Sequence, residues 1–181
     1  MAGATPKLIK ELRGLSGAGM LDCKKALNEC EGDIEKSMAF LRESGLAKAA
    51  KKSGNVAAEG LVSILISEDN TKATMAEINS QTDFVAKNDE FIALKNEITS
   101  HIQATASSTT EELNTTTING TNFEEYLNSK IAIIGENIIA RKMVNVSTDN
   151  GVVNGYVHTN GRVGVILADT CAPEAKEKTA A

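Results

Sequence analysis

EINSQTDFVAKNDEF, the stretch from Glu77 to Phe91, holds a strand end, a sharp corner and a helix start. Met75 and Glu77 alternate with Ala76 and Ile78 in the two-residue period of a strand, whereas Val85, Phe91, Leu94, Ile98 and Ile102 fit a helical stripe. The corner therefore falls at Asn79 to Thr82. Thr82 and Asn88 are both suited to cap a helix, because a side-chain oxygen there accepts from backbone N–H groups that the first turn leaves unpaired. A capped corner holds its neighbours on a fixed support, and Asp83 and Phe84 sit in it. Chemistry alone leaves two readings of that pair. A Phe in a first turn serves as a core or staple residue and an Asp as a helix-dipole partner, or both face outward to bind.

The pattern on either side gives the architecture. Leu61 to Ile66 is a continuous apolar run, SEDN supplies a turn, and Ala73 to Asn79 returns, which predicts an antiparallel hairpin. The helix after the corner should run to about Gln103. ATASSTTEELNTTTINGTN is rich in Thr and Ser and reads as a loop of limited order. Asn122 with Glu125 forms a capping-box pattern, and Phe123, Leu127, Ile131, Ile134 and Ile138 line a second helix expected to pair with the first. Ile139 to Ser147 should add a third strand, so the unit is β-β-α-α-β. Upstream, Thr5-Pro6 opens a helix with Leu8, Ile9, Leu12 and Leu15 on one face. The three glycines between Gly14 and Gly19 force a turn, and Cys23, Ala26, Leu27 and Cys30 mark a second helix. Asp33 caps a third, carrying Ile34, Met38 and Leu41 and expected to stop at Gly45. Leu46 to Glu59 loses apolar period and reads as a linker.

The fold class is therefore α+β. Residues 1–52 form a three-helix domain with a basic linker, 53–150 an antiparallel sheet with a helical hairpin, and 151–181 a partial second repeat. That repeat is seen in NGYVHTN and GRVGVILADTCAPE, which echo EGLVSILI and TKATMAEINSQTD as a Gly-led strand, a turn and an apolar strand. Its hairpin, Gly155 to Ala168, carries Val157, Val163, Val165 and Leu167, with Tyr156 and Ile166 on the alternate face. No downstream helix remains to cover it. It should pack on the preceding unit, on a second copy of the chain to give a homodimer, or on a partner.

Composition narrows the function. The 181 residues carry a net charge of −5, about +3 up to Lys52 and about −8 beyond it. That acidic bulk argues against a nucleic-acid partner, and the short cluster Lys48, Lys51 and Lys52 reads as a solvated face. No run approaches the roughly 18 apolar residues of a membrane span, and MAGATPKLIKELR lacks the apolar stretch of a signal peptide. The expected location is cytoplasmic, with no membrane partner. Cys23, Cys30 and Cys171 suit neither a disulfide framework nor a zinc site. His101 and His158 lie far apart, no nucleophile elbow or phosphate loop occurs, and Gly161-Arg162-Val163-Gly164 lacks the context of a dinucleotide fingerprint. The chain reads as a non-enzyme with no metal, no cofactor and no direct nucleotide binding.

Three stretches carry a resemblance. EINSQTDFVAKN resembles the TDFVAKN signature of the elongation factor Ts family, and LRGLSGAGMLDCKKAL (Leu12 to Leu27) and KIAIIGENIIARK (Lys130 to Lys142) match the same family in the same order. The first three helices resemble a ubiquitin-associated-type domain. A helix-turn-helix DNA reader has similar spacing, but the helix after the turn offers Met20, Leu21 and Asp22 where base readout needs Arg, Lys, Asn or Gln. The resemblance implies a guanine nucleotide exchange factor that binds the translational GTPase elongation factor Tu and promotes GDP release. The alternative is a protein-binding adaptor working through the three-helix domain. The resemblance further implies that Thr82, Asp83, Phe84 and Val85 face the GTPase, as do Arg13, Met20 and Leu21, the last standing where the family has a second methionine. YVHTNGRVGV resembles a family segment whose histidine touches the GTPase, here His158, with one extra residue before Arg162. The full-length family continues past the point where this chain stops, so a piece of a longer chain or an unusually short member is expected.

Overall fold

The computed structural model describes residues 3–170. Its contacts divide the chain into two compact units, one formed by the residues up to Asn55 with Glu125–Asn137, the other by Val56–Glu124 with the chain from Ile138 onward. Helices and antiparallel strands both contribute, as an α+β fold requires.

The first unit begins with α1 (Pro6–Ser16), α2 (Met20–Glu29) and α3 (Ile34–Lys52). Thr5 caps α1 with Pro6 at its first position, and Asp33 caps α3 by accepting from the Lys36 N–H at 3.0 Å. Leu12, Cys23, Ala26 and Leu27 are fully buried, with Leu8, Ile9, Ile34, Met38 and Leu41 packed around them. Leu15 departs from the expected stripe: it lies 61% exposed, one turn beyond Leu12 and just before the left-handed Gly17 that ends α1. Cys23 and Cys30 are free thiols, and Cys171 lies outside the described residues.

Gly45 does not stop α3. The helix continues through it to Lys52, and Gly45 is buried. The reason is close approach: a Cβ there would stand 3.4 Å from the Cβ of Ala132, so the absent side chain admits a neighbouring helix. That neighbour is the later part of α7 (Phe123–Ile134), and it corrects the expected pairing of this helix with the one after the corner. Only its start follows the expectation, since Phe123 is buried in the second unit and its ring stacks on His101 at 5.7 Å.

The second unit is built on the sheet β1-β2-β5, comprising β1 (Glu59–Ile66), β2 (Lys72–Ser80) and β5 (Ile139–Ser147), all antiparallel. Asp69 organises the β1–β2 turn by accepting from the Ser67 hydroxyl at 2.6 Å and the Thr71 hydroxyl at 2.8 Å, which holds its carboxyl down at about 2. A bulge at Arg141 lets its guanidinium donate to Ala57 O at 2.8 Å. α5 (Asp89–Thr105) packs on this sheet and buries Phe91, Leu94, Ile98 and Ile102. That is the expected stripe without Val85, which belongs to the separate short helix α4 (Asp83–Ala86).

The Thr- and Ser-rich segment is ordered, contrary to the expectation of a loose loop. α6 (Thr110–Asn114) is capped by Thr109, and β3 (Thr117–Ile118) pairs with β4 (Thr121–Asn122) across Asn119-Gly120, both at positive φ. Leu113 and Ile118 are buried, so two apolar anchors suffice. Asn145 donates to Ser107 O at 2.8 Å and Thr110 donates to Ala140 O at 2.8 Å, tying the segment to β5.

β6 (Gly151–Val157) and β7 (Gly164–Thr170) form the final hairpin. It packs on β1 and β2 within the same unit, the first of the three positions open to it. Cβ atoms at Gly155 and Gly164 would come within 2.8 Å of Ile64 and 2.7 Å of Val62, which shows how closely the layers meet. The register places Val157 opposite Gly164, on the inward face with Ile166, while Tyr156, Val165 and Leu167 are exposed on the other. Val157 thus lies opposite the face expected for it, and Ile166 is separated from Tyr156. The last residues of the echoed segment, from Cys171, lie outside the described residues.

Candidate functional site

β2 ends at Ser80, whose hydroxyl donates to Thr82 O at 3.0 Å, and the chain turns at once into α4. Thr82 Oγ1 accepts from the Val85 N–H at 3.3 Å, and Asn88 Oδ1 accepts from the Glu90 N–H at 2.7 Å, so two caps in succession fix a single helical turn between two bends. Val85 is half-buried and Ala86 buried, which anchors that turn on the sheet side. The opposite consequence falls on Phe84, which is 82% exposed. A large aromatic ring left in water on a rigid support matches neither the core nor the staple reading. Asp83 accepts from Lys87 Nζ at 2.8 Å, and that hydrogen bond, with Arg162 contributing weakly, holds its carboxyl below the usual carboxylate range.

Arg162, in the turn between β6 and β7, ties that turn to the start of β1 and acts weakly on the charge of Asp83. Its guanidinium donates to Glu59 at the start of β1, and Val62 N–H donates to Gly161 O at 2.7 Å. Asp83 and that turn are thereby brought to one end of the second unit. The turn carries His158, exposed, whose Nδ1 is 3.0 Å from the Tyr156 hydroxyl and whose N–H donates to Val163 O at 2.8 Å. Beside Arg162 lies an open pocket of about 240 Å³ lined by Glu59, Gly60, Val62, Glu77, Asn79 and Arg162. Asn79 had marked only the edge of the corner in the sequence. Gly60 lines the pocket, and a Cβ there would fall 2.2 Å from Ile78 O.

Arg13, Met20 and Leu21 belong to the first unit. All three are exposed, Leu21 at 82%, around the turn between α1 and α2, and Leu15 adds a further exposed apolar group that its spacing placed on the apolar face of α1. Val56, also exposed, was missed and had no periodic signal to reveal it. The described residues contain no cluster of three or more His, Cys, Asp or Glu fit to hold a metal, and no helix among them is long and apolar enough to cross a membrane.

The family described as Elongation factor TS matches residues 81–181, which begin at this corner. The chain belongs to the elongation factor Ts family. Elongation factor Ts of Aliarcobacter butzleri is 59% identical over the whole chain and 51% of its own length. The Campylobacter concisus protein is 55% identical over 92% of the chain and 48% of its own length, and that of Wolinella succinogenes 52% over 92% and 47%. The chain thus spans about half the length of the curated relatives it matches. The match to the Aliarcobacter butzleri protein covers the whole chain, so the corner and the three-helix surface both fall inside it.

Proposed function

We propose that the chain acts in translation elongation as a guanine nucleotide exchange factor, binding elongation factor Tu and promoting release of its GDP. The single observation that carries this reading is Phe84: an exposed aromatic ring on a doubly capped corner is built to enter a groove of another protein. Thr82 and Val85 hold the corner, Asp83 orients it, and His158 adds a polar contact from the neighbouring turn. Arg13, Met20 and Leu21 dock as a second contact, whose benefit comes from effective concentration. Met and Leu exposed beside a glycine turn suit such a protein surface.

Exchange by this route needs no catalytic group and no bound nucleotide on the factor. A protein that binds the empty GTPase more tightly than the loaded one must, by linkage, weaken nucleotide binding by the same factor. The reading therefore takes the chain as a non-enzyme working in the cytoplasm. The experiment is release of labelled GDP from elongation factor Tu with and without the chain, where acceleration at substoichiometric amounts is expected. Binding without acceleration would instead favour the adaptor reading, which the exposed Leu15, Met20 and Leu21 of the first unit support.

A further inference from the structure

Asn79 is 5% exposed, and its two amide atoms are treated differently. Nδ2 donates to Glu59 O at 2.9 Å, whereas Oδ1 is buried and accepts from nothing among the described residues. Buried polar atoms without a partner are rare enough in folded proteins to need a reason. Swapping the amide atoms offers no relief, because it would set Oδ1 against a carbonyl oxygen. Asn79 lines the open pocket beside the corner, together with Glu59, Glu77 and Arg162. Glu59 is already paired with Arg162, while Glu77, opposite Lys142 in the ladder, makes no ion pair within 4.0 Å among the described residues. The pocket therefore holds a carboxylate outside ion-pair distance of a cation, with Lys142 opposite it in the β2–β5 ladder, and just beneath its wall an unused carbonyl acceptor, on a part of the chain that is strongly acidic overall. Both groups call for a donor that is also positively charged.

We propose that this pocket receives a lysine or arginine side chain of the protein that docks on Phe84, pairing with Glu77 and donating to Asn79 Oδ1. The inference rests on the exchange-factor reading and deepens it, since Asn79 lies three residues before Thr82 and the pocket adjoins the same docking surface. A protein side chain is favoured over a free amine because the pocket is open, and an open, wet site holds a lone small ion weakly. A side chain delivered by a docked partner arrives already positioned beside its acceptors. The χ2 torsion of an Asn is soft, so a partial turn brings Oδ1 toward the incoming donor while the Nδ2 bond to Glu59 O lengthens and the strand stays in place.

The test uses the full chain, unlabelled elongation factor Tu, and two variants, Glu77→Gln and Glu77→Lys. Affinity for the GTPase is measured across a salt series, urea unfolding of each variant is followed alongside, and the Asn79 side-chain amide is observed by NMR. Expected are about tenfold weaker binding for Glu77→Gln and about a hundredfold for Glu77→Lys at low salt, both differences shrinking as salt rises. Urea midpoints should match the unsubstituted chain, and the Asn79 amide resonance should move on complex formation only where Glu77 is intact. Equal affinity of all three chains, or an Asn79 resonance unmoved by the GTPase, would overturn the pocket while leaving the exchange reading in place. If the unsubstituted chain fails to bind elongation factor Tu at all, both the exchange reading and this inference are overturned.

Discussion

Phe84 and Gly60 show how single residues divide between surface and scaffold. Phe84 touches little of its own chain, so Phe84→Ala should move the urea midpoint by no more than corresponds to about 0.5 kcal/mol; a larger loss would mean that the ring is part of the core after all. Gly60 is the reverse case. Its φ of 134° and the carbonyl of Ile78 in the place of a Cβ leave no room for a side chain, and the obstacle is backbone that cannot rotate away. Gly60→Ala should cost about 3 kcal/mol or more in urea unfolding, and an unchanged midpoint would contradict this packing. His101 supplies a titration. Thr116 donates its hydroxyl to Leu113 O at 2.6 Å, so its oxygen accepts from His101 Nε2 at 2.7 Å, and the ring stacks on Phe123. Burial lowers its pKa from the ordinary 6.5, with Glu97 opposing. The unfolded chain then binds the proton more readily than the folded one, so stability is full above pH 6.5 and declines as pH falls below it. His101→Gln, which keeps a donor, should flatten the curve of urea midpoint against pH in that window, and an unaltered curve would remove His101 as its source.

At the scale of elements, what the sequence discloses is periodicity and punctuation. The strands β1, β2 and β5, the caps Thr82 and Asn88, and the apolar faces of α2 and α5 all follow from spacing that a single segment contains. Gly45 misled because a glycine that ends a helix and one that admits a neighbour look alike until the neighbour, Ala132, is known. The Thr-rich segment hid two legible signals, Thr109 three residues before Glu112 and the Asn119-Gly120 pair, beneath a polar composition that suggested disorder. Phe84 is the sharper case: spacing put it in a first helical turn, but its exposure depends on which side of that turn the sheet occupies. The packing of α3 on the later part of α7 also makes a prediction. Gly45→Ala should be nearly neutral, helix propensity offsetting a contact at 3.4 Å, while Gly45→Leu should cost about 1–3 kcal/mol through overpacking. Thermal unfolding of the two variants distinguishes them, and equal losses would contradict the close approach. The same packing advises against removing residues up to Lys52 to test docking, because that cut would strip the cover from Glu125–Asn137. Joint replacement of Arg13, Met20 and Leu21 by alanine is the cleaner probe, expected to weaken binding to the GTPase far more than it lowers the maximal exchange rate; unchanged affinity would remove this surface from the interface.

For the whole molecule, the inward face of the β6–β7 hairpin is covered by β1 and β2, and its outward face is not. Tyr156, Val165 and Leu167 form an exposed apolar stripe of the kind that invites association. Light scattering should show apparent mass rising with concentration, and Leu167→Lys should suppress the rise; a chain monomeric at every concentration would contradict it. In the proposed function a rigid corner presents Phe84 to a GTPase and loosens its nucleotide. Release of labelled GDP from elongation factor Tu, with the chain and its Phe84→Ala variant compared side by side below saturation, tests it most directly. The chain should accelerate release and the variant should be slower by more than about tenfold, since a buried aromatic anchor commonly carries at least about 2 kcal/mol of binding. Release that the chain leaves unchanged, or that the variant accelerates equally well, would contradict it.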